Sequence, residues 1–145
     1  RFVWRRAEVD EALAYPAQPL PSPHGAPWLV GEALSNLIVG LQRHARGEKL
    51  AAMRMVQVQA LDRVLEFLET LQPAAHEAHA RRDPFNVDRR IEARNPQAAA
   101  ALPTWAGGYT GTVPAALALL ACLEAHGVVP AVVSERIAAL ADSAR

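Results

Sequence analysis

The sequence predicts an all-α protein, an up-and-down bundle of about five helices behind a short extended N-terminal segment. Three observations carry this. Apolar residues recur at helical spacing over two long stretches, proline and glycine stand where helices would start and stop, and no strand-helix-strand alternation is visible.

Taken in order, Arg1 to Arg6 read as a strand and Ala7 to Ala14 as a helical turn that stops at Tyr15-Pro16, because proline disfavours helix in the residue before it. Pro16, Pro19, Pro21, Pro23 and Pro27 make linker chemistry, so residues 1–26 divide from a bundle domain at 27–145. The first helix is expected from Pro27 to about Arg46, with Val30, Leu34, Leu37, Ile38 and Leu41 on one side and Gly47 as its cap. The second runs from Glu48 to about Leu71. Its apolar residues Leu50, Val58, Leu61, Val64, Leu65 and Leu68 fall within an arc roughly 120° wide. A third helix starts at Asp83 with Pro84 in its first turn and ends before Asn95-Pro96. The stretch from Ala98 to Thr112 reads as a loop, since Pro103, Gly107, Gly108 and Gly111 ask for turns. Pro114 opens a helix through Ala125 that Gly127 stops, and Pro130 opens the last, through Ala141.

Composition limits function. Fifteen basic residues balance fifteen acidic ones, which removes the overall basic excess typical of nucleic-acid binders. No apolar run is long enough to cross a membrane, and the start has neither the length nor the order of a signal peptide. A single cysteine, Cys122, lies in a Leu- and Ala-rich run that suits a helix interior, and one cysteine cannot make an internal disulfide, so a reducing cytoplasm is expected. The chain opens without Met on Phe2-Val3-Trp4. A lone strand needs an edge to pair with, which points to a missing domain or a second subunit.

Chemistry is expected where the second helix's apolar arc is interrupted. Arg54 and Gln57 project into that arc. A buried guanidinium needs an acid or a ligand, so either Arg54 makes a salt bridge with Asp83, Asp88 or Glu92, or it lines a polar pocket between helices. A second polar line, Glu48, Gln59, Asp62 and Glu66, is either a solvated face or a continuation of that pocket. Asp83, Asp88, Arg89, Arg90, Glu92 and Arg94 carry too many charges of both signs for one buried face. Leu102 to Tyr109 sets Trp105 and Tyr109 among glycines, as a lid over a pocket or, the favoured reading, a plug over the bundle end.

Other motifs fail on spacing. His76-Glu77-Ala78-His79 is too short for the zinc-protease helix motif, Gly107 to Gly111 lacks the Lys-Ser/Thr of a phosphate loop, and no Asp-x-Asp pair is present to hold two magnesium ions. No metal ligands are assigned and no residue of this chain is expected to catalyse a reaction alone.

Leu41-Gln42-Arg43-His44-Ala45-Arg46-Gly47-Glu48-Lys49-Leu50-Ala51-Ala52-Met53-Arg54 and Asp83-Pro84-Phe85-Asn86-Val87-Asp88-Arg89-Arg90-Ile91-Glu92, with the Leu102 to Tyr109 stretch, resemble the C-terminal helical region of lincosamide nucleotidyltransferase-like proteins. The resemblance spans about residues 30–125. It implies a two-domain enzyme: an N-terminal domain that binds ATP and magnesium and moves a nucleoside monophosphate to a hydroxyl of an antibiotic or similar small molecule, and a helical domain that shapes the acceptor pocket and a homodimer interface. The Gly-Ser and Asp-x-Asp elements of the N-terminal domain are absent from this sequence, so only the accessory role carries over. By the same resemblance Arg46, Glu48, Lys49, Arg54, Asp83, Arg89, Arg90 and Glu92 fix the domain's interior or face the cleft. The helical ribonucleases found beside minimal nucleotidyltransferases are a poorer match, because no Arg here has a His four to six residues later. The competing expectations are a stand-alone interaction or oligomerisation bundle and a small-molecule-binding bundle.

Overall fold

The computed structural model describes residues 24–71 and 88–144, and these form an all-α bundle with no strand among them. The helices are α1 (Ala26–Ala45), α2 (Lys49–Arg54), a π-helical segment (Met55–Ala60), α3 (Leu61–Leu71), α4 (Ile91–Arg94), α5 (Pro96–Trp105), α6 (Thr112–Ala125) and α7 (Ala131–Ser143). The N-terminal strand, the proline linker and the expected helix start at Asp83 lie outside the described residues.

The middle of the bundle is α1, which packs against α2, the π segment, α3, α6 and α7. Its start is set by Pro27, whose missing N–H is one that the first helical turn leaves without an intrahelical partner anyway. Leu29, Leu37 and Leu41 are fully buried on it and belong to one core cluster with Val56, Val64, Leu65, Phe67, Leu119, Leu123 and Ile137. Each such side chain contributes about 1.5–3 kcal/mol relative to exposure.

The helix expected from Glu48 to Leu71 is one continuous rod with an irregularity in it. Over Met55–Ala60 it widens into a π-helix, which takes in an extra residue and rotates everything before it relative to α3. The core-facing set upstream is therefore Ala52, Val56 and Ala60, and not the expected Leu50 and Val58, which are 53% and 48% exposed. A close crossing sits at this point. A Cβ added at Gly40 of α1 would stand 2.6 Å from Val56 Cγ2 and 3.3 Å from Met55 Cβ, so only glycine lets the two helices approach this far.

Two further expectations are corrected. Ala98 to Thr112 is not all loop, because α5 covers Pro96–Trp105. Asn95 accepts the Ala98 N–H at 3.0 Å and Pro96 takes the first helical position, a start signal that outweighs Pro103 near the helix end. Before α4, Asp88 to Arg90 form a turn where helix was expected, with Arg90 in the left-handed region at φ 60°. The stops at Gly47 and Gly127 and the start at Pro130 are where the sequence puts them, both glycines at positive φ.

Candidate functional site

The expected site residues fall into separate places, and the first is the turn from α1 to α2. Gly47 takes φ 82°, its N–H reaches His44 O at 2.9 Å, and the Glu48 N–H reaches Arg43 O at 3.0 Å. This is a Schellman ending, which commonly brings an apolar pair together at the positions that Arg43 and Glu48 fill here. The Glu48 carboxylate bonds Arg43 at 2.7 Å and Arg46 at 2.8 Å. The hydrogen bond from Arg46, more than any other contact, holds the Glu48 carboxyl below its ordinary range. Arg46 and Lys49 are exposed. Arg46 and Glu48 order a surface turn, and neither they nor Lys49 line the clefts described below.

Arg54 is exposed and makes no buried salt bridge, a correction with one physical cause: the π segment turns Arg54, with Leu50 and Val58, out of the core. Gln57 does point inward. Its Nε2 donates to Gly108 O at 2.8 Å and its Oε1 accepts the Gly108 N–H at 2.8 Å, so the side-chain amide pairs with Gly108 as a neighbouring backbone would. Thr112 Oγ1 lies 3.4 Å from the same Nε2. Gly108 sits at φ 77°, a conformation that glycine enters readily. One side chain thus bolts the α5–α6 connection to the core. Trp105 is buried at the end of α5, which suits the expected plug, whereas Tyr109 is 56% exposed and closes nothing.

Arg89, Arg90 and Glu92 are exposed at the start of α4, and Asp83 lies outside the described residues. The buried guanidinium expected at Arg54 belongs to Arg94, which pairs with Glu69 of α3, their side chains 0% and 9% exposed. Spacing within one helix had no means to find a pair that joins two elements 25 residues apart. Cys122 is half-buried, and burial pushes its thiol up, away from the reactive thiolate.

Among the described residues a larger and a smaller cleft flank α1. The larger, about 450 Å³, is apolar and lies between the first half of α1, α3 and the α6–α7 connection, with Pro27, Val30, Gly31, Leu34, Phe67 and Val128 among its walls. The smaller, about 280 Å³, is polar: Glu32 and Asn36 of α1 face Gln59 of the π segment and Asp62 and Arg63 of α3. Of the second polar line expected from sequence, Gln59 and Asp62 meet here, Glu66 pairs with Arg63 at 2.7 Å, and Glu48 stands at the far turn. Among the described residues no group of three or more His, Cys, Asp or Glu converges as a metal site would require. No described helix is long and apolar enough to cross a membrane. No protein-family model, curated protein or solved structure matches the chain.

Proposed function

We propose that the chain is a helical accessory domain that holds a small acceptor molecule for a catalytic partner, as the resemblance to lincosamide nucleotidyltransferase-like proteins implies. The partner in this reading is an N-terminal nucleotidyltransferase domain, which brings ATP, magnesium and the transfer chemistry. This chain brings shape and apolar surface. The observation that carries the reading is the apolar cleft of about 450 Å³, a size within the range of small-ligand pockets. Its walls of Val30, Leu34, Phe67 and Val128 favour an apolar ring or chain over water by about 25 cal/mol for each Å² removed from solvent.

Gly31 gives a clean test. It lies in the cleft wall, and a Cβ added there meets nothing within 4 Å, so the side chain of Gly31→Leu has room to start into the cleft. With anilinonaphthalene sulfonate as probe, the native chain should bind and brighten it. Gly31→Leu should lose affinity by about tenfold or more, at a Tm no lower than that of the native chain because leucine favours helix over glycine. Equal binding by the variant contradicts the reading. The nucleotidyl part is tested on the coding sequence upstream of Arg1: a Gly-Ser and Asp-x-Asp module there supports it, and an adjacent start codon overturns it.

A further inference from the structure

We propose that the polar cleft between α1 and the π–α3 rod binds a small organic cation, a primary ammonium group in the first place. The argument starts from what lines it. Glu32 and Asp62 supply carboxylates, Asn36 and Gln59 supply amides, and Arg63 forms one wall. The one positive charge among the described residues of these walls is answered within the protein, since Arg63 Nη2 lies 2.7 Å from Glu66. Two carboxylates then remain for an incoming charge.

Asn36 donates one Nδ2 hydrogen to Glu32 O at 2.9 Å, and its Oδ1 is an acceptor available to a ligand. An ammonium has three donors and no acceptor, which matches a cleft furnished mainly with oxygen. A divalent ion suits it less well. Calcium asks for six to eight oxygens and most of its binding comes from carboxylates, while this cleft offers two carboxylates beside a guanidinium. Trp28, one turn before Glu32 on α1, stacks on His24 at 3.7 Å and lies under the Arg63 guanidinium at 5.9 Å, so it helps hold Arg63 at the wall and leaves the ligand to the oxygens.

The surroundings of Asp62 disfavour its charged form. Burial above all, with Asp88 and Glu66 adding like charge and Arg63 only partly offsetting them, raises its carboxyl above the ordinary value of 3.8. A nearby ammonium would favour the carboxylate again. Asp62→Asn should therefore keep or raise Tm while it weakens binding, an opposition that a purely structural carboxylate would not give.

The test titrates the chain with diaminopentane at low salt, followed by amide shifts and calorimetry. The expected result is shifts gathered at Glu32, Asn36, Gln59 and Asp62, and an affinity loss of about tenfold in Glu32→Gln and again in Asp62→Asn. Glu32 is exposed, so that variant should fold even if the other does not. Shifts scattered over all acidic residues, or equal binding by the folded Glu32→Gln variant, overturn the proposal. So does calcium chloride moving these amides where diaminopentane does not.

Discussion

Two glycines on α1, nine residues apart, mark two kinds of construction. Around Gly40 the helices touch backbone to side chain: Val56 and Met55 close on it, and from the same π segment Gln57 bolts Gly108 in place. Around Gly31 a Cβ would meet nothing within 4 Å, and the apolar and polar clefts open on different sides of this stretch of the helix. The comparison teaches that one half of α1 spends its sequence on closure and the other leaves room. Close packing resists change because even one added methylene is felt, whereas room can be filled by a ligand.

The contrast can be broken at either end. The largest effect is expected at the closed end, where Gly40→Val overpacks the crossing and costs about 3 kcal/mol, measured by urea unfolding. A near-neutral result would mean that the crossing is looser than its 2.6 Å approach indicates. Next comes Gln57→Leu. It fits an apolar group of similar size but takes both amide partners from Gly108, so about 1–2 kcal/mol should be lost and the Gly108 amide should exchange faster with solvent. At the open end the sign reverses. Gly31→Ala should stabilise by about 0.5–1 kcal/mol, because a helical glycine gives up more backbone entropy than alanine and this one has no close neighbour to displace.

The sequence was readable wherever a residue acts on its own neighbours. Gly47 and Gly127 end helices because they enter positive φ without cost, and Pro130 marks a helix start by local geometry alone. Asn95-Pro96 was half read. It ends α4, but the same Asn side chain that caps the Ala98 N–H begins α5, and the glycines downstream masked that second role.

What could not be read was rotation. At 100° per residue Leu50, Arg54, Gln57 and Val58 share an arc with Leu61, Val64 and Leu65, and nothing in Met55-Val56-Gln57-Val58-Gln59-Ala60 announces an extra residue in the turn. The small set Ala52, Val56 and Ala60, four apart, was the available sign, matched by Gly40 across the crossing. Rotation moved Arg54 out to solvent and left the buried guanidinium to Arg94, whose partner Glu69 comes from another element. The polar cleft was legible only from one side. Gln59 and Asp62 stood in a line on the sequence, but Glu32 and Asn36 join them through helix packing, which periodicity does not report.

The most direct test of the central claim, that the open end of α1 is where a ligand binds, is a methyl-resolved titration of the chain with anilinonaphthalene sulfonate. The account predicts shifts concentrated on Val30, Leu34 and Val128, with the Leu37 and Leu41 methyls at the closed end unmoved. Shifts on the exposed Leu50 and Val58 in their place, or none at the cleft, would contradict it.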